Sequence, residues 1–208
     1  PLIRCTWQGE FSPFLATDWK VADDLKSITL TLREGVKFHD GSDFNAEVVK
    51  WNLDEMLKAK MSAYKEIDSV EALDDYTVKL NLNKYSNTIM GTMGVTYMLS
   101  KKAFDDHGKE WMRWNPVGTG PFKFVSFERD TSIKFTRFDG YWGVDDKGNK
   151  LPYLDGVEEY FISDPMTKSA AFEEGEADAT GGDLTKMEYD LLQKNSAYYL
   201  ESEYTGAV

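Results

Sequence analysis

The sequence predicts an α/β fold, in which strands and helices alternate along the chain, with both parallel and antiparallel strand pairs. Residues 27–33 alternate apolar and polar side chains, with Ile28, Leu30 and Leu32 on one face, as in a half-buried strand. Beyond Asn45 the apolar residues recur at helical spacing instead. A Pro- and Gly-rich segment at residues 114–121 then interrupts both patterns, and we expect the chain to cross between domains there.

The first half of the chain contains a strand, a helix and a hairpin in that order. Glu34-Gly35 ends the first strand, and Asn45 is a suitable N-cap for the helix that follows. Residues 69–73 and 76–82 flank Asp74-Asp75 and predict a β-hairpin. Residues 101–111 predict a further helix.

The second half repeats the alternation. Asp164 followed by Pro165 is typical of a helix start, and Gly175 is suited to end that helix. Another helix is predicted over residues 184–194. The predicted strands are residues 122–127, 132–138, 157–162, 177–180 and 197–204.

Composition excludes some functions. The chain has 208 residues, enough for one large domain or two small ones, and a formal net charge of −12. Such a charge repels nucleic-acid phosphates and anionic membrane surfaces. No run of roughly 18 apolar residues is present, so the sequence predicts no membrane span. Aromatic residues make up 14% of the chain, which suits either a packed core or a surface that holds ligands by stacking.

The single cysteine, Cys5, permits no intrachain disulfide, so both oxidising and reducing compartments remain open. A lipid anchor at Cys5 is not expected, because Arg4 precedes it and only three residues come before that. We expect a small packed thiol.

No catalytic or metal-binding set emerges from the residues. His39 has two interpretations, a ligand or base oriented by Asp40, or a turn histidine whose ring satisfies nearby backbone groups. His107 similarly suits a helix C-terminus or a metal site. The sequence lacks the Cys and His spacings of zinc sites and the local features of an activated Cys5.

Two loops resemble ligand sites only in part. Residues 118–120 are Gly-Thr-Gly without the Lys of a phosphate-binding loop, and we expect the two glycines to mark a passage too tight for a Cβ atom. Residues 145–149 contain two aspartates but lack the spacing of a calcium loop, which favours a solvated turn.

Three stretches resemble the family 5 extracellular solute-binding proteins, the peptide- and nickel-binding receptors of ABC transporters. The first, Pro-Phe-Leu-Ala-Thr-Asp-Trp at 13–19, is followed by Leu-Arg-Glu-Gly-Val-Lys-Phe-His-Asp-Gly at 32–41. The second is Asn-Pro-Val-Gly-Thr-Gly-Pro-Phe at 115–122. The third comprises Gly-Tyr-Trp-Gly at 140–143 and Leu-Pro-Tyr-Leu-Asp-Gly-Val at 151–157. Val48 departs from the pattern, where the family has Asp.

The resemblance implies a periplasmic-binding-protein-like fold of class II, the peptide-binding type, of which this chain is a part with mixed sheets. Residues 1–115 match an extra, inserted domain of the first lobe, and residues 116–208 match the central part of that lobe. We expect the second lobe and the opening strand of the first lobe to be absent from this chain. Because half a cleft cannot enclose a solute, we expect weak solute binding by the isolated chain.

The function implied by the resemblance is capture of a small ligand, with a peptide preferred, for delivery to a membrane ABC permease. The alternative is a solute sensor or chaperone-like receptor of the same fold that is not coupled to transport. The family implies an extracytoplasmic location in a bacterium or archaeon, a monomer, no catalysis, and no cofactor, metal or nucleic acid.

Six residues near the predicted lobe boundary are candidates for ligand contact. In similar proteins the strand that leads into the hinge presents backbone groups and an aromatic side chain to the ligand. Tyr204, Thr205 and Gly206 match this strand, although Tyr204 also suits core packing. Arg113 suits a ligand carboxylate or a plain surface position. The candidates are Tyr97, Arg113, Trp114, Tyr204, Thr205 and Gly206.

Overall fold

A computed structural model describes residues 1–6, 8–180, 185–194 and 198. The six α-helices are α1 (Ala46–Lys58), α2 (Thr88–Val95), α3 (Lys101–His107), α4 (Lys109–Met112), α5 (Pro165–Glu173) and α6 (Lys186–Leu192), with one 3-10 turn at Ser62–Tyr64. The strands are β1 (Ile3–Cys5), β2 (Phe11–Pro13), β3 (Ala16–Val21), β4 (Ser27–Leu32), β5 (Ile67–Asp74), β6 (Thr77–Leu82), β7 (Phe122–Glu128), β8 (Ser132–Arg137) and β9 (Gly156–Tyr160). This arrangement confirms the predicted α/β class.

A four-stranded antiparallel sheet in the order β3-β4-β6-β5 carries the core. Leu30 faces Val78 across the β4–β6 pair, and both side chains are fully buried. Helix α1 covers this sheet with Val49 and Leu53, so the two predicted periodicities meet in one hydrophobic core. Strands β1 and β2 form a separate pair, and β7, β8 and β9 form a three-stranded sheet.

The start of α1 shows how local sequence sets an element boundary. Asn45 is extended, and its side-chain oxygen accepts a hydrogen bond from the Val48 N–H at 3.0 Å. Glu47 supplies a negative charge in the first turn, where the helix dipole favours it. The helix is therefore capped although Val48 replaces the family's Asp. Asp164 caps α5 in the same way, by accepting from the Thr167 N–H.

Several predicted elements differ from those observed. The helix expected over 101–111 is broken at Gly108, whose φ of 81° is left-handed, so α3 and α4 are separate. Residues 177–180 are not a strand. The strand predicted at 197–204 lies outside the described residues, apart from position 198. Cys5 is exposed, not packed, and its thiol contacts the Thr6 carbonyl at 3.5 Å.

The expectation that Gly118 and Gly120 mark a passage too tight for a Cβ is also wrong. A Cβ at Gly118 would meet only ordinary contacts of 3.9 Å or more, and a Cβ at Gly120 would have open space. Neither glycine has a left-handed φ, unlike Gly35 and Gly41 at 71° and 83°. Side-chain hydrogen bonds to the backbone, described below, shape this segment instead.

The chain divides into two compact units. The first comprises residues 1–126 and 134–157, and the second comprises residues 127–133 and the described residues from 158 onward. Residues 114–121, where we predict the crossing between domains, fall inside the first unit. The assignment of 1–115 and 116–208 to parts of one lobe stays a prediction. Within the described residues, no helix is long and apolar enough to cross a membrane.

One glycine in β9 is sterically required. A Cβ at Gly156 would lie 2.6 Å from the Phe135 carbonyl oxygen, a backbone atom in β8 that cannot move without disturbing the strand. We expect Gly156→Ala to lower the free energy of unfolding by about 2 kcal/mol, as other overpacked sites do. Urea denaturation followed by tryptophan fluorescence measures this. Gly120→Ala is the matched control, and equal stability losses in both variants would contradict the steric explanation.

Candidate functional site

The structure describes three of the six predicted ligand contacts. Tyr97 lies just after α2 with its side chain 67% exposed, and Trp114 lies after α4 with 55% exposed. Arg113 precedes Trp114, and its guanidinium carbon is 5.5 Å from the Trp114 ring centroid, as in a cation–π contact. Tyr204, Thr205 and Gly206 lie outside the described residues, so their proposed role stays a prediction.

Tyr97 is exposed, but the backbone on its N-terminal side is fixed. The hydroxyl of the buried Thr96 donates to the Thr92 carbonyl at 2.6 Å and lies 2.7 Å from the Tyr64 hydroxyl. Because the Thr96 proton is already donated, the Tyr64 O–H must be the donor of the second bond. The residue before Tyr97 is thus held by a buried pair of hydroxyls.

Asn52 fixes the C-terminal side of the same segment. Its amide group donates to the Leu99 and Val48 carbonyls at 2.9 Å, and its oxygen accepts from the Leu99 N–H at 3.0 Å. Asn52 is 2% exposed, and its two hydrogen bonds with Leu99 replace a strand partner that the irregular segment lacks. Sequence reasoning missed Asn52, whose only signal was a polar residue on the apolar side of α1.

The segments that carry Tyr97 and Trp114 run side by side. The Ser100 N–H donates to the Val117 carbonyl at 2.9 Å, three residues beyond Tyr97 and three residues beyond Trp114. One backbone hydrogen bond therefore ties together the two segments with the described candidate residues. Sequence reasoning also missed an exposed apolar residue two positions before Tyr97, Val95 at 66%.

His39 holds residues 118–120 with its ring and its backbone. The His39 N–H donates to the Gly118 carbonyl, Nδ1 accepts from the Gly118 N–H at 3.4 Å, and Nε2 lies 2.9 Å from the Gly120 carbonyl. This pattern requires a neutral ring with its proton on Nε2. It agrees with the interpretation of His39 as a turn histidine that satisfies the backbone, and it leaves neither ring nitrogen available as a catalytic base.

The protonation of His39 follows from its surroundings. Burial lowers the pKa of His39, and the positive charge of Lys123 lowers it further. The hydrogen bond to Gly120 and the charge of Asp40 act in the opposite direction, but the pKa remains below its usual 6.5. The neutral ring that the hydrogen bonds require is therefore also the form that burial favours.

Asp40 connects the His39 turn to α3. Its carboxylate accepts from Ser42 and, at 2.5 Å, from the Ser100 hydroxyl, whose oxygen caps the Ala103 N–H. Burial alone would raise the pKa of Asp40, but these hydrogen bonds outweigh it and hold the pKa below its usual value. Asp40 thus stabilises the turn and the start of α3, and its carboxylate is not oriented toward the His39 ring nitrogens.

The remaining candidates have structural explanations. Asp145 accepts hydrogen bonds from Lys147, Asn149 and Tyr153, which lower its pKa to about 2. In the loop that partly resembled a calcium site, hydrogen bonds from neighbouring residues therefore stabilise the Asp145 carboxylate. His107 ends α3 and stacks on Trp111, with ring centroids 4.1 Å apart. Among the described residues, no group of three His, Cys, Asp or Glu side chains is arranged to hold a metal ion.

The described candidates thus offer two exposed aromatic side chains and one guanidinium beside backbone that side-chain hydrogen bonds fix, and their role in ligand contact stays a prediction. Aromatic faces stack on planar or apolar groups, and a guanidinium pairs with carboxylates. Such a surface can hold a solute without transforming it.

Comparisons with known proteins identify similar molecules. A family model described as "Bacterial extracellular solute-binding proteins, family 5 Middle" matches residues 10–207. The glutathione-binding protein GsiB of Pectobacterium atrosepticum is 36% identical over 170 residues, which is 78% of this chain and 32% of GsiB. The chain therefore spans about a third of the length of the curated relatives it matches.

Solved structures show the same likeness. An ABC transporter substrate-binding protein from Sinorhizobium meliloti matches with a TM-score of 0.81 and 35% identity, over 93% of this chain and 40% of that chain. NikA from Brucella suis, solved in complex with Fe(III)-EDTA, matches with a TM-score of 0.80 and 29% identity over the same shares of the two chains.

The anchoring of the Tyr97 segment by Asn52 predicts a large stability effect. We expect Asn52→Ala to lower the free energy of unfolding by about 2 kcal/mol, because it leaves the N–H and carbonyl of the partly buried Leu99 without their side-chain partner. The Leu99 amide should also exchange its hydrogen faster. Urea denaturation and amide exchange measure these effects. Asn83→Ala, at an exposed position, should change stability by less than about 0.5 kcal/mol. Equal effects of the two substitutions would refute the anchoring role.

The lowered pKa of His39 predicts a pH dependence. The unfolded chain gains a proton on His39 near its usual pKa of 6.5, whereas the native chain gains it only at lower pH. Stability from His39 is therefore fully present above about pH 7 and is lost as pH falls through 6.5 to the lower native pKa. We expect His39→Gln to flatten the stability–pH curve from pH 7 down to 5 in urea titrations. His107→Gln is the control and should keep the wild-type slope; an unchanged slope in His39→Gln would contradict the prediction.

Proposed function

Because the chain belongs to the bacterial extracellular solute-binding proteins of family 5, we propose that it is part of a receptor that captures a solute and delivers it to an ABC importer. Membership also confirms the periplasmic-binding-protein-like fold class predicted from the motifs. The observation that carries the proposal is the family match over residues 10–207, almost the whole chain.

The proposed binding surface forms one side of a solute cleft. Tyr97, Arg113 and Trp114 are its described members, and Tyr204 to Gly206 are assigned to the same side by resemblance. Family receptors enclose their solute between two lobes, and closure strengthens each polar contact by excluding water. The relatives are about three times as long as this chain, so we propose that the opposite side comes from outside these residues.

The proposed solute is a peptide. Arg113 offers the planar fork that recognises a carboxylate, and its stacking on Trp114 holds that fork in place. Tyr97 and Trp114 add exposed aromatic faces for side chains or peptide planes. The curated relatives include proteins named for binding glutathione, which is itself a tripeptide. NikA from Brucella suis was solved with Fe(III)-EDTA, so the class of solute needs a direct test.

The further parts of the proposal follow from the family. The receptor works outside the cytoplasm, as a monomer, and its partner is a membrane permease. It performs no catalysis and needs no cofactor. The second candidate is a sensor or chaperone-like receptor of the same fold, in which the bound solute triggers a response without being imported.

Native mass spectrometry of the product of the gene that encodes this sequence tests the proposal. We expect a co-purified small solute, and uptake of that labelled solute should fail when the gene is deleted. Loss of a transcriptional response with normal uptake would favour the sensor instead. A gene product that carries no solute and binds neither glutathione, trialanine nor a nonapeptide in calorimetry would overturn the proposal.

The proposed contacts predict the effects of substitutions in that gene product. We expect Tyr97→Ala to weaken binding about tenfold, as the loss of an aromatic contact does at other interfaces. Arg113→Ala should weaken binding of carboxylate-bearing solutes by at least about tenfold and of amidated ones much less. Titration calorimetry measures both. Tyr153→Ala, at a similarly exposed tyrosine in another loop, should leave affinity within about twofold. If all three variants bound the solute with the wild-type affinity, Tyr97 and Arg113 would not belong to the site.

A further inference from the structure

Two arginines and two aromatic rings form a continuous stack outside the candidate site. The guanidinium carbon of Arg4 lies 4.5 Å from the Phe14 ring centroid, and that of Arg33 lies 4.3 Å from the Trp142 ring. Phe14 and Trp142 meet edge to face, with centroids 4.9 Å apart. We call these four residues together with Tyr141, which packs on Trp142 at 5.3 Å, the arginine–aromatic cluster.

Regular backbone pairing brings the cluster together. Arg4 in β1 pairs with Ser12 in β2, which places Phe14 diagonally beside it. Arg33 follows β4, and its N–H donates to the Leu15 carbonyl while its Nε donates to the Phe14 carbonyl at 2.9 Å. The Arg33 guanidinium is therefore held from the backbone side and the Arg4 guanidinium by the Phe14 ring, and the N–H groups that these contacts do not use remain available.

The two arginines lack the carboxylate partners that Arg129 and Arg137 have. Arg129 and Arg137 lie within 4 Å of aspartates. Within the part of the chain that the structure describes, neither Arg4 nor Arg33 has a carboxylate that close. This is notable in a chain with 36 acidic residues and a net charge of −12. Two guanidiniums with no carboxylate within 4 Å among the described residues thus belong to one cluster.

The cluster also contains two other donors without acceptors. The indole Nε1–H of Trp142 is buried and has no hydrogen-bond partner among the described residues. The hydroxyl of Tyr141, which is partly buried, has none there either. Buried donors are nearly always paired in folded proteins, so an unpaired one points to a missing acceptor such as an ordered water or an anion.

Tyr141 packs on the same Trp142 ring as Arg33, and its hydroxyl is influenced by the charges of both arginines. Burial raises the pKa of Tyr141, while the charges of Arg4 and Arg33 lower it. Since both guanidiniums influence this one oxygen, a negative group bound to the Tyr141 O–H would be attracted by both of them. No negative charge is among the causes that shift this pKa.

We propose that the arginine–aromatic cluster is a binding site for a small oxyanion, namely the carboxylate or phosphate group of a small molecule. The anion accepts a hydrogen bond from the Tyr141 O–H and pairs with Arg4 and Arg33. Trp142 Nε1–H donates to the anion directly or through one water. The site uses none of the candidate residues Tyr97, Arg113 and Trp114, so it does not rest on the proposed function.

A purely structural stack is the competing explanation, and it makes different demands. Cation–π contacts need only the guanidiniums and the ring faces. They do not need the phenol oxygen of Tyr141, and they are insensitive to which anion is in the buffer. Removing the Tyr141 hydroxyl or changing the anion should therefore have an effect only if the cluster binds an anion.

The test is an NMR titration of the 208-residue chain with sodium acetate or sodium phosphate, at an ionic strength held constant with sodium chloride. The reporter is the Trp142 indole N–H signal, assigned with Trp142→Phe. We expect a saturable shift with a dissociation constant on the order of millimolar, as a ligand of so few atoms allows. Comparison of acetate with phosphate identifies the preferred group.

The variants decide the outcome. Tyr141→Phe, which keeps the ring, should weaken anion binding about tenfold, because it removes one hydrogen bond to a charged group. Arg4→Gln at the exposed end of the stack should weaken it several-fold, roughly as loss of one nearby charge does. Arg129→Gln is the control, since Arg129 is an exposed arginine beside Asp130 that belongs neither to the cluster nor to the candidate site, and it should leave binding unchanged.

A second measurement guards against misfolding of the variants. Acetate or phosphate should raise the thermal unfolding midpoint of the wild-type chain above that in chloride, and this increment should shrink in Tyr141→Phe. The proposal is overturned if the Trp142 signal shifts linearly and equally in all three salts, or if Tyr141→Phe and Arg4→Gln bind the anion as well as the wild type. Either result would leave the cluster with a structural role alone.

Discussion

The irregular backbone at residues 96–100 and 113–121, on either side of α3 and α4, must find hydrogen-bond partners away from any strand, and this constraint governs the candidate site. A buried N–H or carbonyl without a partner costs about 1–3 kcal/mol, so the segment needs a substitute for a sheet. Polar side chains provide it. Asn52 pairs with Leu99, His39 with Gly118 and Gly120, and Ser100 links Asp40 to the start of α3. The exposed side chains of Tyr97 and Trp114 project from a backbone that these contacts have already fixed.

Such a base suits a binding surface, because a fixed backbone reduces the entropy lost when a ligand orders its contacts. It also explains why His39 and Asp40, which in the sequence allow the interpretation of an oriented base, make hydrogen bonds that fix the backbone. Both side chains form hydrogen bonds with backbone groups. These bonds require a neutral His39 ring and an ionised Asp40 carboxylate, which are the forms that their surroundings favour. Arginine is used differently in this chain. Arg33 and Arg113 rest on tryptophan faces and keep some N–H groups free for anionic partners.

Local patterns predicted most of the regular elements. The alternation in β4, the hairpin of β5 and β6, and the caps at Asn45 and Asp164 are confirmed because each depends on neighbours within a few residues. The errors arose where a local signal was overridden. Gly108 splits the predicted helix through its left-handed φ, and residues 177–180 have strand-like composition without forming a strand. The glycines at 118 and 120 were assigned a steric role, whereas the His39 hydrogen bonds determine the course of that segment.

The sequence by itself determined the family, the α/β class and the identity of the exposed candidates Tyr97, Arg113 and Trp114, because motifs and periodicity are local and survive without coordinates. The tertiary structure alone decided which residues support those candidates and which charges remain unpaired. Asn52 meets Leu99 across 47 positions, and His39 meets Gly120 across 81. Arg33 reaches Trp142 from a different motif of the family pattern. Hydrogen bonds and ion pairs act over a few ångströms in space, so partners this distant in sequence leave no periodic trace in a single chain.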